Sequence, residues 1–311
     1  MKKPVVLFCS LFLAAVALNA QNSFNGINFG GATGLYSIPT GRIGWERSAN
    51  VGLDFGYHAI INNHDYRPNR GNEWGIAGIG NVTASLFKWM ELSFAFDIQP
   101  NFSYWVPAGP GGFNEFKAQK NNDFILGYKV QLPTNIKNPD FPAIALGGNV
   151  QFNNAGDYDW FSYTALQFYA AATYSSAFFT MPAETTLVIG KTFTIDAQTR
   201  FGANIANNSD IDFGMGFDLI LLPDILRNYI HWIIDYSNFG YGANSWPNTV
   251  SPETSSPWYR GILNTGIRVD LAMIPALSKF KFIVDLTLND LFDHDSRAFA
   301  VGLVFGLPVV K

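Results

Sequence analysis

The sequence predicts an all-β chain, a transmembrane antiparallel up-and-down β-barrel of about twelve strands, and three observations carry that prediction. The first is alternation. Val51, Leu53, Phe55, Tyr57 and Ala59 interleave with Asn50, Gly52, Asp54, Gly56 and His58. Successive side chains of a strand point to opposite faces, so one face is apolar and the other polar. A soluble sandwich does not usually set Asp and His on its inner face, whereas a barrel with lipid outside and water inside needs that pattern. The second observation is that such segments recur to the last residues of the chain. The third is composition: 16% aromatic residues, 29 Gly and only 14% charged residues, where a soluble domain carries about a quarter charged. Lipid-facing strands use aromatics at the interfaces and small residues where strands crowd.

The N-terminus fits the same location. Lys2 and Lys3 precede an apolar run from Val5 to Leu18, and the small residues Ala15, Ala17 and Ala20 come before the polar Gln21, Asn22 and Ser23. This reads as a cleaved signal peptide over 1–20, too short to be a spanning helix. Cys9 lies inside the apolar run, so the mature chain has no cysteine, and disulfide and thiol chemistry are excluded. Beyond residue 20 no apolar run reaches the roughly 20 residues of a transmembrane helix, so the chain crosses a membrane only as a closed sheet. The expected organisation is 1–20 signal peptide, 21–47 an N-terminal plug-like or edge segment, and 48–311 the barrel, set in a Gram-negative outer membrane.

Alternation places strands near 48–60, 75–88, 91–99, 121–132, 141–152, 162–175, 184–194, 210–222, 228–237, 258–271, 280–290 and 297–307. Short links at Lys88 to Met90, Pro133 to Asp140 and Pro223 to Arg227 are expected to be periplasmic turns. The long polar links Asn62 to Asn72, Pro100 to Lys120, Asn153 to Phe161 and Asn238 to Pro257 are expected to face outward. In 192–209 the pattern weakens, and Lys191 faces lipid if the parity of Leu187 and Ile189 continues; a bulge or an extra strand pair fits there, and the extra pair would raise the count to fourteen. In the closing strand Phe299, Val301, Leu303, Phe305 and Leu307 point outward, and the Gly302, Phe305, Leu307 spacing resembles the terminal signal read by the barrel-assembly machinery, although the chain runs on from Pro308 to Lys311. Trp45, Trp74, Trp89, Trp105, Trp160, Trp232, Trp246 and Trp258 fall in loops or near strand ends, as expected for interface girdles or loop packing.

Parity sends Asp54, Glu91, Asp97, Asp123, Asp210, Asp212, Asp218, Asp235, Asp270 and Asp285 to the lumen, with Lys129, Arg260, Arg268 and Lys281 as the basic residues there. Two readings of this acidic excess stand side by side. Either it lines a cation-leaning passage, or the charges pair to fill a closed barrel. Twelve strands favour a narrow or plugged lumen over a general porin.

Catalytic chemistry finds little support. The His residues are His58, His64, His231 and His294, and only the loop pairs His64-Asp65 and Asp293-His294-Asp295 resemble a water-activating or cation-holding arrangement. No Ser sits in a nucleophile motif, and no paired-His spacing suits a metal. No enzyme activity, cofactor or metal is expected. Without Lys2 and Lys3 the 20 basic residues fall to 18 against 24 acidic ones, a net charge of −6. With no basic patch, nucleic acid is not an expected partner.

Residues 30–42 stand apart from the alternating strands. The glycines permit positive φ and close backbone approach, while Pro39 cannot donate to a central ladder. The run Gly31, Thr33, Gly34, Leu35, Pro39, Thr40 and Arg42, followed by the first alternating strand, resembles the start of the YjbH-like family of outer-membrane barrels associated with exopolysaccharide export, over about residues 30–58. The resemblance implies a role in moving or organising surface polysaccharide. On the residues alone, a short plug or an N-terminal strand needed for closure is an equally good reading. The functional expectation is a porin-like, non-enzymatic transport or export barrel, with a surface-binding barrel using aromatic outer loops as the alternative and an outer-membrane hydrolase behind it. Expected partners are outer-membrane lipid, lipopolysaccharide or glycolipid, the barrel-assembly machinery, and a polysaccharide or small solute.

Overall fold

The structure is a computed structural model that describes residues 25–45, 50–64, 73–106, 115–133, 141–154, 163–195, 211–226, 229–238, 261–271, 274, 277, 280–291 and 298–310. Along 62–64, 73–77, 97–106, 115–123, 153–154, 163 and 194–195 the backbone alone is described. Twelve strands follow in chain order: β1 (Val51–His64), β2 (Glu73–Leu86), β3 (Met90–Val106), β4 (Glu115–Gln131), β5 (Ala143–Asn154), β6 (Tyr163–Phe178), β7 (Met181–Ile195), β8 (Asp212–Ile220), β9 (Ile230–Ser237), β10 (Ile262–Asp270), β11 (Lys281–Asn289) and β12 (Ala298–Val310). Each pairs antiparallel with the next, and β12 pairs with β1 to close the barrel. All twelve expected strands are present. β7 pairs directly with β8, so no extra pair enters the ring after 192.

Closure leaves no sheet edge, which is why a sheet can stand in lipid at all. Along β1 the exposed Phe55 and Tyr57 alternate with the buried Asp54 and His58. Along β8 the exposed Phe213 and Met215 alternate with the buried Asp212. Lys191 stands on the outward face of β7 between Ile189 and Phe193, as the parity predicts. The protein is therefore a multi-pass barrel of the outer membrane, with an apolar outside and a polar inside.

Several boundaries move. Residues 100–120 are expected to be one long outer loop, but β3 runs to Val106 and β4 starts at Glu115. The alternation resumes through Phe102 and Tyr104 after a register shift between Gln99 and Phe102, next to Pro100. β6 and β7 likewise meet in a link of only Phe179 and Thr180. β12 continues through Pro308 to Val310 instead of ending near 307. Proline lacks a ladder donor, yet β11 begins at Lys281 opposite Gly306, so Pro308 borders β1 alone, at a register shift between Val51 and Gly52. The β8–β9 link holds a single helical turn, α1 (Pro223–Leu226).

Candidate functional site: the segment inside the barrel

Residues 26–45 are all buried, and their contacts reach every strand of the ring. The Trp45 indole Nε1 donates to Asp54 Oδ1 on β1 at 2.9 Å. On β2, Asn81 Nδ2 donates to the Asn28 carbonyl at 3.2 Å, and the Thr83 hydroxyl donates to the Gly31 carbonyl. Glu91 on β3 accepts from the Thr33 N–H at 2.7 Å and from its hydroxyl. From β4, Lys129 Nζ donates to the Thr33 carbonyl at 2.8 Å, and Gln131 Oε1 accepts from the Ile43 N–H at 3.1 Å. Gly41 lies against Ala143 of β5 and donates to Thr173 Oγ1 of β6 at 2.9 Å. Arg42 Nη2 is 2.8 Å from Glu184 Oε1 on β7 and donates to Ser175 Oγ on β6 at 2.6 Å.

The other half of the ring holds the segment in the same way. Ile38 and Leu35 fill the space over Gly214 and Gly216 of β8. Asp235 on β9 accepts from the N–H groups of Tyr36 and Ser37 at 2.7 and 2.8 Å and from Ser37 Oγ at 2.9 Å. On β10, Arg268 donates to the carbonyls of Gly34 and Leu35 at 3.1 and 3.4 Å. Lys281 of β11 lies 5.9 Å from the Trp45 ring, and Gly306 of β12 is packed under the same indole. A segment that meets all twelve strands can lie only within the ring.

The local sequence explains why it is compact enough to fit. Gly31 adopts φ +89°, a conformation L side chains rarely take. Ile27 bridges Thr33 and Gly34 bridges Pro39, with Leu35 N–H donating to Ile38 O at 3.0 Å and Thr40 N–H to Thr33 O at 3.1 Å. The chain is thus folded back on itself twice. Every residue of the Gly31, Thr33, Gly34, Leu35, Pro39, Thr40 and Arg42 run is buried here. Phe29, Leu35, Tyr36 and Ile38 share an apolar cluster with Ile60, Ile79, Ala95 and Ile125 of the wall. Phe29 meets the ring of His58 edge-on at 5.2 Å. Burial, reinforced by the nearby Asp285 carboxylate, holds the Tyr36 hydroxyl far above its ordinary value, so it stays neutral.

The charges assigned to the lumen lie inside the barrel wherever their side chains are described. Asp54, Glu91, Asp212, Asp235, Asp270, Asp285, Lys129, Arg268 and Lys281 are all buried. Asp218 is partly buried, 2.7 Å from His231 Nδ1. Asp97 and Asp123 face each other in register across β3 and β4, with only their backbone described. Asp210 and Arg260 lie outside the described residues, as do His294 and three of the tryptophans, Trp160, Trp246 and Trp258.

The charges that can be seen are engaged, not bare. Arg268 reaches Asp285 at 2.7 and 3.1 Å in a two-pronged pair. Lys281 reaches Asp54 at 2.8 Å, and Lys129 reaches Glu91 at 3.3 Å. The Lys281 to Asp54 pair spans three strands, because Gly306 stands in register between them and leaves the row open. Asp212 accepts from Gln167 Nε2 at 3.0 Å and from the Thr192 hydroxyl. A lumen lined by free acids is therefore not what these residues make. Trp45 also departs from expectation: it is 2% exposed in the interior, not part of a girdle. Trp89 and Trp232 do face outward, at 44% and 39% exposure. What the sequence missed is the role of the segment's N–H groups, and the available signal was the Gly-rich run itself, whose backbone can approach a carboxylate closely.

No family profile matches the chain, and no curated protein does. Among solved structures, the chain is similar to a KdgM porin in complex with disordered oligogalacturonate, with 9% identity, 82% of this chain and 98% of that one covered, and a TM-score of 0.40. The translocator domain of the autotransporter NalP from Neisseria meningitidis gives 9% identity, 84% and 89% coverage, and a TM-score of 0.41. An outer membrane channel from Pseudomonas putida F1 gives 13% identity, 87% and 96% coverage, and a TM-score of 0.39.

Proposed function

We propose that this is a non-enzymatic transport barrel whose passage is shut at rest by residues 25–45. The observation that supports this reading is how the segment is held. Its ties to the wall run through wall side chains, whereas the strand ladder closes on itself without it. The segment can therefore leave, or be drawn aside, with the sheet intact. Each buried hydrogen bond exchanged for water on opening costs about 0.5–1.5 kcal/mol net, and the sum over the segment's ties favours the closed state at rest.

The cargo in this reading is surface polysaccharide. That part rests on the resemblance of residues 30–58 to YjbH-like barrels and on a row of amide and hydroxyl groups along β5 to β7. Asn149 Nδ2 donates to Gln167 Oε1 at 3.1 Å, and Gln167 stands opposite Thr192. Such groups exchange partners readily with sugar hydroxyls.

Planar-bilayer recording of the mature protein, alone and with 21–45 deleted, tests the closed-lumen reading. The intact barrel should be silent or open only briefly, and the deletion variant should conduct steadily. A folded deletion variant that stays silent overturns it. For the cargo, loss of surface polysaccharide on disrupting the gene, restored by the intact chain, is the expected result; an unchanged surface refutes that half alone.

A further inference from the structure

Short connections join the strands at the end of the barrel where β1 begins and β12 ends, and in each of the five the described residues include an exposed large apolar side chain. Phe87 and Trp89 lie between β2 and β3, Phe141 between β4 and β5, Phe179 between β6 and β7, Ile225 between β8 and β9, and Ile274 between β10 and β11. Phe179 is 85% exposed and Ile225 75%. Turn tips that project into water usually carry Gly, Asn, Asp or Ser.

The backbone makes the choice of residue more pointed. Phe87, Lys88, Phe179 and Leu222 have φ of 54°, 64°, 55° and 46°. This is the left-handed region, where Gly and Asn are the favoured occupants of tight turns. At this end of the barrel bulky apolar side chains stand at such positions although turn geometry favours Gly or Asn there, so the residue choice does not follow from the turn, and the exposed apolar surface calls for an apolar surrounding.

We infer that these turns are inserted in the periplasmic leaflet of the outer membrane, and that the occupant of this apolar rim is phospholipid. Continuity with the lipid-facing wall argues for lipid. Phe178 packs edge-on against Phe179 at 4.7 Å and against the outward Phe217 of β8 at 6.2 Å, and Phe280 lies 5.9 Å from the outward Phe305 of β12. The apolar band of the wall thus runs onto the turns without a polar break at these points. Distribution argues the same way. The residues come from all five links around the ring, as a surrounding leaflet requires. Phe87 and Trp89 stack at 6.0 Å with Lys88 between them in sequence, an arrangement that leaves the ammonium to reach back to lipid phosphates while the rings sit among acyl chains.

The absence of cysteine after residue 20 makes the test direct. Phe87→Cys, Phe179→Cys and Ile225→Cys, each labelled with an environment-sensitive fluorophore, are folded as the mature chain into phosphatidylcholine vesicles, with Leu92→Cys as the lipid-facing reference. Folding is checked by heat-modifiable gel mobility, and three sites keep the test alive if one variant does not fold. The expected result is emission shifted to the blue as at Leu92, quenched by spin-labelled phospholipid and insensitive to iodide. Emission as in urea with iodide quenching at the folded sites would overturn the inference and leave the rim facing water.

Discussion

Strand β1 and the segment 25–45 are neighbours in the chain, yet they are held by different means. β1 is paired along its length with β2 on one side and β12 on the other, and its side chains alternate between lipid and lumen. The segment bonds to itself through a few bridges and is otherwise fixed by side chains of the wall. The wall's order follows from backbone pairing that no single side chain decides. The segment's order depends on particular wall side chains, buried charges among them, so single substitutions should act on the two regions with different signatures.

The largest effect is expected at Arg268. Both it and Asp285 are buried, and Arg268 also caps two carbonyls of the segment. Arg268→Ala leaves Asp285 as an uncompensated charge, a situation that costs about 3–5 kcal/mol. Urea unfolding in detergent should register that loss, together with steadier conductance as the segment loosens. A loss below about 1 kcal/mol would show that the pair does not hold the interior together.

A wall substitution should behave otherwise. Phe213→Arg places a charge on the lipid face at the second residue of β8, away from the strand centre, so the cost is about 2 kcal/mol, at the low end of the mid-membrane range. Folding into bilayers should suffer while the folded fraction remains as silent as the unaltered barrel. If Phe213→Arg opens the passage, the wall and the segment are coupled more tightly than their contacts suggest.

Asp235→Asn isolates the segment from the wall more gently. The carboxylate receives two N–H groups and a hydroxyl from Tyr36 and Ser37, and a further bond from Asn264 Nδ2 at 2.9 Å. An amide keeps one acceptor and adds donors where donors already converge, so a loss of about 1.5–3 kcal/mol is expected for hydrogen bonds to a charged group. The far-UV strand signal should not change. More frequent openings in single-channel records are the outcome that sets this variant apart from Phe213→Arg.

These contrasts also explain what could be read from the sequence. Period-two alternation fixed which way Asp54, Asp212, Asp285 and Arg268 point, because it is a local property of each strand. It could not say what those groups meet. Counting signs alone, ten acids against four bases leave a cation-leaning passage and a charge-paired closed barrel equally open. In the structure, part of that excess is met by backbone dipoles: Glu91 takes the N–H of Thr33, and Asp235 takes those of Tyr36 and Ser37. Peptide N–H groups carry no formal charge, and their partners lie far away in sequence, so composition and spacing are blind to them. Trp45 differs for another reason: its place before β1 suits a loop or a girdle, but its segment folds into the lumen, where the indole meets Asp54 on the wall.

The smallest effect is expected at Arg42, and it separates the segment's ties by their access to water. Its pair with Glu184 is the less buried kind, with side chains 7% and 21% exposed, unlike Lys281 and Asp54 at 0% each. Partial exposure discounts the Coulomb attraction, so Arg42→Gln should cost only about 1 kcal/mol. Salt screens charges near water over about 10 Å at 0.1 M and leaves deeply buried pairs almost untouched. Raising salt should therefore increase brief openings in the unaltered barrel, beyond the proportional rise in ion supply, while Arg42→Gln should show frequent openings at low salt and little further response. An unaltered barrel whose openings ignore salt would place the weak point of the seal at the buried ties of Asp235 and Arg268 instead of at Arg42.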